Sequence, residues 1–304
     1  MKRFYFLIVS LSLCLIVNAT RRALVIGIGD YPAPSGWTKI NGDKDIPLVE
    51  EMLTSNGFSR QNIVELRNEQ ATCAAICREF ENLISNSQTG DIVYIHFSGH
   101  GQQITDLNND EKDGLDEAWI PYDAPVAFTP KKYEGENHLV DDQINSFLHR
   151  LRRSVGDGGK IVVIADACHS GDGTRGDDDE QDTECIRGTD SIFTIANIKH
   201  TIKRFTTIFK RDNSPVPQTN ISAPQPMPLE WVYISACKDY QCNREFEGKG
   251  SLTTALYRNQ SFFGTLSTND LFDKVKKFYG NPKIPKTQTP MLEVSSGAES
   301  DIFL

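Results

Sequence analysis

The sequence predicts an α/β fold in which helices cover both faces of a mostly parallel sheet. Two observations carry this. From Arg22 onward, short aliphatic runs alternate with amphipathic helical patterns, as expected when crossover helices join parallel strands. The chain also has 304 residues with 38% hydrophobic content, enough to bury one large core or two modest ones.

The strands expected in order are ALVIGIG (23–29), NIVEL (62–66), DIVYIHFSG (91–99), KIVVIAD (160–166) and WVYISAC (231–237). Between them, Ile46, Val49, Met52 and Leu53 form one helical face that stops at Gly57. Ala74, Cys77, Phe80 and Ile84 form a second, and Val140, Ile144, Phe147 and Leu151 a third. After Gly173 the pattern fails. Residues 174–190 are dense in carboxylates, 211–228 are rich in Pro, Asn, Ser and Gln, and a basic segment lies between them. A connection this long is uncommon inside a domain unless it has a function. Patterning resumes at Trp231, with helices expected over 251–259 and 268–279 and a last strand over 291–294.

Residues 1–19 read as a secretory signal peptide: Lys2 and Arg3, then an apolar run, then Val17-Asn18-Ala19 as a cleavage site. An uncleaved anchor is the rival reading, but Phe4 to Val17 is short of the about 20 residues that span a bilayer. The expectation is an exported protein, periplasmic or extracellular, with no membrane association after signal removal. Loss of Lys2 and Arg3 takes the formal charge from −9 to −11, which excludes nucleic acid as an expected partner. Six cysteines would remain, at positions 73, 77, 168, 185, 237 and 242, in a chain too long to be a disulfide scaffold; a pairing such as Cys237 with Cys242 is left open. Asn220 and Asn259 begin Asn-X-Ser sequons.

Two strands end in polar, glycine-flanked turns, HFSGHG (96–101) and DACHSG (166–171). In a parallel sheet both ends lie on one edge, where open α/β folds bind ligands. A thiol needs a base to become a strong nucleophile, and His100 beside Cys168 would supply it. Free N–H groups at Gly101 and Cys168 are candidates to hold a developing oxyanion. A lone Cys or His in a turn is more often structural; the coincidence of two independent strand ends overturns that for Cys168 and His100. His169 is read as structural or orienting, because chain neighbours point in different directions.

SGHG followed by DACHSG resembles the metacaspases, within the wider caspase-like cysteine peptidases. ISACKDYQ (234–241) and the Gly-Ser-Leu-Thr helix start after it resemble the family's small-subunit region, so the likeness covers nearly the whole mature chain. True caspases carry Gln where Asp166 stands here. The resemblance implies a three-layer caspase-like sandwich, with 20–173 as a large-subunit-like region, 174–228 as a linker with processing sites and 229–304 as a small-subunit-like region of the same domain. It also implies an endopeptidase that cuts protein or peptide substrates after Arg or Lys. The pocket residues matching the family are Asp166, Ser98 and an aspartate after the first strand, for which Asp45 aligns best and Asp43 is the fallback. Asp166 lies two residues before Cys168 and so projects to the same side, where a carboxylate suits a cationic side chain. Asp45 is equally readable as the N-cap of its helix.

No cofactor is required by this reading, and calcium is the one ion the resemblance leaves open. DLNNDEKDGLDEAW fails as an EF-hand, because aligning Gly114 with the loop's glycine puts Ile120 where a glutamate is needed. The resemblance instead points to Asp113 or Asp116 with Asp141 and Asp142. A further aspartate is not matched, Arg175 falling at its spacing with Asp172 and Asp177 nearby; a solvated acidic loop is the plain alternative. Linker bases at Arg175, Arg187, Lys203, Arg204, Lys210 and Arg211 make self-processing an expectation for an enzyme cutting after basic residues. The competing functions are an inactive binding or regulatory relative that keeps the fold, and a related peptidase of other specificity.

Overall fold

Burial alternates face by face along the three central strands. Leu24, Ile26, Val93, Ile95, Phe97, Ile161, Val163 and Ala165 point into one core, and Ala23, Val25, Tyr94, Val162 and Ile164 into the other. Strands covered on both faces read as continuous apolar runs, which is why they stand out in the sequence. The computed structural model describes residues 19–108, 111–168, 186–189, 191–195, 231–238, 241–294 and 298–304.

The main sheet contains β1 (Arg21–Gly27), β2 (Ile63–Arg67), β3 (Ile92–Ser98), β7 (Lys160–Asp166), β8 (Val232–Ser235) and β11 (Met291–Val294). Its order is β11-β8-β7-β3-β1-β2, parallel throughout except for the antiparallel β11. One face carries α2 (Cys73–Asn86) and α3 (Asp141–Val155); the other carries α1 (Ile46–Ser55), α4 (Ser251–Arg258) and α5 (Thr268–Tyr279). This is the three-layer sandwich expected, and every predicted strand and helix is found within a few residues of its place.

Helix α2 differs in phase. Thr72 caps it by accepting from the Ala75 N–H (3.2 Å), so the helix starts at Cys73. Its buried stripe is Cys73, Ile76, Cys77, Phe80 and Leu83; Ala74 is exposed and Ile84 only half-buried. Two small antiparallel units were not expected. One is a three-stranded sheet of β4 (Gly101–Thr105), β5 (Leu115–Trp119) and β6 (Leu139–Val140); the acidic loop is the connection between β4 and β5. The other is the hairpin β9 (Glu245–Phe246) and β10 (Lys249–Gly250), turned by Glu247 and Gly248 at positive φ. The described stretches within 174–228 are packed, with Arg187, Phe193 and Ile195 buried. No helix among the described residues is long and apolar enough to cross a membrane. The signal-peptide reading, His169, Gly171, Asp172, Arg175, Asp177, Cys185, Lys203, Arg204, Lys210, Arg211 and Asn220 lie outside the described residues.

Candidate active site

β3 and β7 are neighbours, and their register pairs Ser98 with Asp166. His100 and Cys168 each lie two residues further on, so strand pairing alone delivers both to one edge of the sheet. Both are fully buried.

Between them lies the chain's own residue 187. The Arg187 carbonyl oxygen accepts from the Cys168 N–H (2.8 Å) and the Gly101 N–H (3.4 Å), the two donors expected to hold an oxyanion. The Arg187 N–H donates to the Asn243 carbonyl (2.9 Å), and Ile186 bridges antiparallel to Arg244. Gly188 presses on the nucleophile's turn: a Cβ built there would lie 2.5 Å from the Cys168 carbonyl oxygen. The Arg187–Gly188 peptide thus lies against the turn that carries Cys168.

The His100 ring is fixed on both sides. Trp37 stacks on it at 4.7 Å between centroids, and the backbone N–H of His100 donates to the Tyr31 hydroxyl (3.0 Å). Nε2 lies 2.8 Å from the Thr38 carbonyl, which can only accept, so Nε2 carries the proton and Nδ1 carries the free lone pair. Nδ1 has no hydrogen-bond partner among the described residues. Burial lowers the imidazole to about 4, only partly offset by Thr38, so the ring is neutral near pH 7. The Cys168 thiol donates to the Gln241 carbonyl (2.6 Å). The adjoining Cys237 thiol, helped by burial, holds Cys168 well above the ordinary cysteine range. Both members of the pair are therefore uncharged while Arg187 is in place. Among the described residues Cys73, Cys77, Cys168, Cys237 and Cys242 form no disulfide, so Cys237 and Cys242 are not bonded to each other.

The Arg187 side chain enters a closed box of carboxylates. Nη1 donates to Asp45 Oδ2 (2.7 Å) and lies 3.5 Å from Asp166 Oδ1; Nε and Nη2 reach Glu245 Oε1 at 3.2 and 3.1 Å. Asp166 also takes Asn243 Nδ2 (2.8 Å), the Thr253 N–H (2.8 Å) and the Thr253 hydroxyl (2.7 Å). Burial alone would raise Asp166; Arg187 and these donors overcome it and leave the carboxyl below its usual range. Besides Arg187, Asp45 takes the Gly250 N–H (2.9 Å) and, more distantly, the Thr253 hydroxyl (3.4 Å), and burial keeps it raised. The three carboxylates hold the guanidinium protonated against its own desolvation. Gly250 has no room for a side chain, since a Cβ would lie 2.0 Å from Asp166 Oδ2 and 2.7 Å from Arg187 Nη1.

Of the residues expected from sequence, the structure brings Cys168, His100, Gly101, Asp166 and Asp45 together. Asp45 occupies the N-cap position of α1 but makes no side-chain cap, its carboxylate being turned to the arginine. Ser98 stands one step back, its hydroxyl on His96 Nε2 (3.1 Å), which also meets the Thr253 hydroxyl (3.1 Å). Glu245, Asn243 and Thr253 were not anticipated. Their only sequence signal is membership of the stretch after ISACKDYQ, and nothing in that stretch marks an acid as facing Asn41, whose N–H donates to Glu245 at 2.6 Å.

The carboxylates considered for calcium do not form a ready cage. Asp113 is exposed and takes the Leu115 N–H (3.2 Å), Asp116 is buried on β5, and Asp142 takes Asn108 Nδ2 (2.6 Å). Asp141 Oδ1 is buried without a partner, and burial with the nearby Asp142, Glu117 and Glu111 raises its carboxyl well above the usual range. Among the described residues, no group of three or more His, Cys, Asp or Glu is arranged to hold a metal ion.

Comparison with known proteins gives a consistent picture. A family model described as the caspase domain, of peptidase family C14, matches residues 20–299. Metacaspase-1B of Aspergillus fumigatus is 34% identical over 159 residues, 50% of this chain and 35% of that protein. Metacaspase-1 of Emericella nidulans is 35% identical over 161 residues, 50% of this chain and 36% of that protein. Metacaspase-1 of Eremothecium gossypii is 31% identical over 162 residues, 51% of this chain and 32% of that protein. The matched stretch is thus about a third of the length of these curated relatives. A solved structure, protein GSU0716 of Geobacter sulfurreducens, superposes with a TM-score of 0.60 at 21% identity, covering 90% of this chain and 92% of that one, which supports the fold.

Proposed function

The chain belongs to the caspase family, metacaspase-like in its relatives, and from that premise we propose that it is a cysteine endopeptidase that cuts after Arg or Lys. We propose further that its own Arg187–Gly188 bond is its first substrate. One observation carries the reading: a single arginine has its guanidinium in the carboxylate box and its carbonyl oxygen on the N–H groups of Cys168 and Gly101.

The chemistry follows from the placement. The thiol turns from the Gln241 carbonyl to the Arg187 carbonyl carbon, and its proton passes to His100 Nδ1. The carbonyl oxygen gains charge where two N–H donors already point, so little reorganisation is needed. As the C–N bond breaks, His100 delivers that proton to the Gly188 nitrogen. A water molecule, deprotonated by the same imidazole, releases Arg187 as a free carboxylate and restores the thiol. Thr38 holds the tautomer that makes Nδ1 the working atom, and Trp37 holds the ring's plane.

Export through residues 1–19 belongs to the same proposal, supported by the basic, apolar and small-residue order of that segment. Calcium stimulation belongs to the proposal through the family resemblance at Asp113 or Asp116 with Asp141 and Asp142. Fluorogenic peptides that differ only in Arg, Lys, Asp or Asn before the leaving group, assayed with calcium and with chelator, test these points together. Turnover of Arg and Lys peptides alone is expected. Preference for Asp or Asn would overturn the specificity, no turnover in any well would support an inactive relative, and equal rates with chelator would remove calcium.

A further inference from the structure

The segment that follows Arg187 does not leave the molecule after Gly188. It runs along the outer edge of β4, bridging parallel at Gly101 to Gly188 and again at Ile104 to Phe193. The Phe193 N–H donates to the Gln103 carbonyl (2.8 Å), the Thr105 N–H donates to the Phe193 carbonyl (3.1 Å), and the Ile195 N–H reaches Thr105 Oγ1 (3.0 Å). The two at Phe193 are main-chain contacts of an added strand, open to any extended polypeptide, and the third uses the Thr105 hydroxyl. Four residues lie between the two bridges on the segment and two on β4, and the Gln102 side chain donates to the Ser191 carbonyl (2.7 Å) within that difference.

One side chain is selected. Phe193 is 1% exposed, with its ring 4.4 Å from His138, 5.7 Å from Tyr133 and 6.1 Å from Phe128, centroid to centroid. Gly135, at φ +98°, leaves the ring its space; a Cβ there would lie 3.0 Å from Phe193 Cε1. The polar wall of this pocket is satisfied by its own residues and by one backbone carbonyl of the segment. The Gln102 amide donates to Ser191 and Val126 carbonyls, so its oxygen accepts from His138 Nε2 (2.9 Å), and His138 Nδ1 accepts from the Tyr133 hydroxyl (2.6 Å). The pocket therefore asks the occupant's side chain for an aromatic face and for no hydrogen bond, while Gln102 takes one backbone carbonyl of the bound segment, that of Ser191.

We infer that the β4 edge and the Phe128–Tyr133–His138 pocket form a subsite for polypeptide substrates, selecting an aromatic residue at the sixth position after the cleaved bond. The inference rests on the proposal that Arg187–Gly188 is a substrate bond and extends it to what lies beyond the leaving nitrogen. Burying a phenylalanine side chain is expected to tighten binding by roughly 10- to 150-fold. Because the pocket is formed before reaction, the gain is expected in KM.

The test uses the full chain after self-processing and two internally quenched peptides, TECIRGTDSIFTI and the same peptide with Ala in place of Phe. The phenylalanine peptide is expected to show a kcat/KM at least ten-fold higher, mostly through KM. In the processed enzyme residues 188–195 compete for the groove, so the preference should widen on a Phe193→Ala enzyme. A short fluorogenic peptide ending in Arg, which cannot reach the groove, should be turned over equally by both enzymes. Equal kcat/KM for the two long peptides on both enzymes would overturn the inference and leave the Arg187 reading standing. Failure of the phenylalanine peptide to be cut after its arginine, while the short one is turned over, would overturn the reading of residue 187 and this inference with it.

Discussion

Two acidic groups in this molecule differ in what answers their charge. Asp45, Asp166 and Glu245 are buried together around one guanidinium, and Asp166 alone takes three further hydrogen bonds. Asp141, by contrast, is raised first by burial and then by the charges of Asp142, Glu117 and Glu111, and its Oδ1 has no hydrogen-bond partner among the described residues. Buried carboxylates are held only where a cation or a set of donors compensates their desolvation. The first group is thus shaped for a particular cation, planar and forked, that arrives on a polypeptide; the second is charged but not shaped.

Changing the pocket carboxylates should have the largest effect. Asp166→Asn removes one charge and one acceptor from a fully desolvated pair, where breaking the pair costs about 3–5 kcal/mol, so turnover of Arg peptides should fall by roughly 10²–10³-fold. Glu245→Gln keeps the shape and one acceptor, and a loss of about ten-fold is expected, in line with a charge-assisted bond of about 1.5 kcal/mol replaced by a neutral one. Steady-state kinetics on both variants check the order; a larger loss for Glu245→Gln than for Asp166→Asn would break the ranking of the pocket's residues.

The smallest effect belongs to the other group, and its sign is opposite. Asp141 has a folded-state value above its unfolded one, so the native chain binds a proton that the unfolded chain releases. Stability contributed by that proton is present below the unfolded value and is lost as pH rises through the folded one. Asp141→Asn should therefore raise the unfolding temperature at pH 7, by the equivalent of about 1 kcal/mol for a relieved like-charge contact, and leave it unchanged near pH 3. Thermal unfolding at the two pH values checks this, and destabilisation at pH 7 would show that the carboxylate is compensated in the folded chain.

How far the sequence foretold this site depends on what placed each residue. His100, Cys168 and Asp166 were legible because they close two apolar strands, and parallel pairing brings such ends together whatever lies between them. Asp45 was half legible: its spacing fits both an N-cap and a pocket, and only the position of the arginine separates them. Glu245 was not legible, because it sits in a two-residue strand and meets Asn41 from the far end of the chain. Arg187 appeared only as one base among six in a linker, since nothing local marks a charged residue for full burial. The β4–β5–β6 sheet escaped notice because Asp116 and Gln102 stand on buried positions and break the alternation that reveals a strand. Helix α2 shows the same limit: its period was readable, but the Thr72 cap set which residues face the core.

The central claim is that Arg187 occupies its pocket as a substrate residue and not as a structural ion pair. N-terminal sequencing of the smaller fragment from freshly purified active protein tests this directly. The account predicts a new terminus at Gly188 that is absent from Cys168→Ala and Arg187→Gln chains. Fully active protein whose Arg187–Gly188 bond stays intact would contradict it.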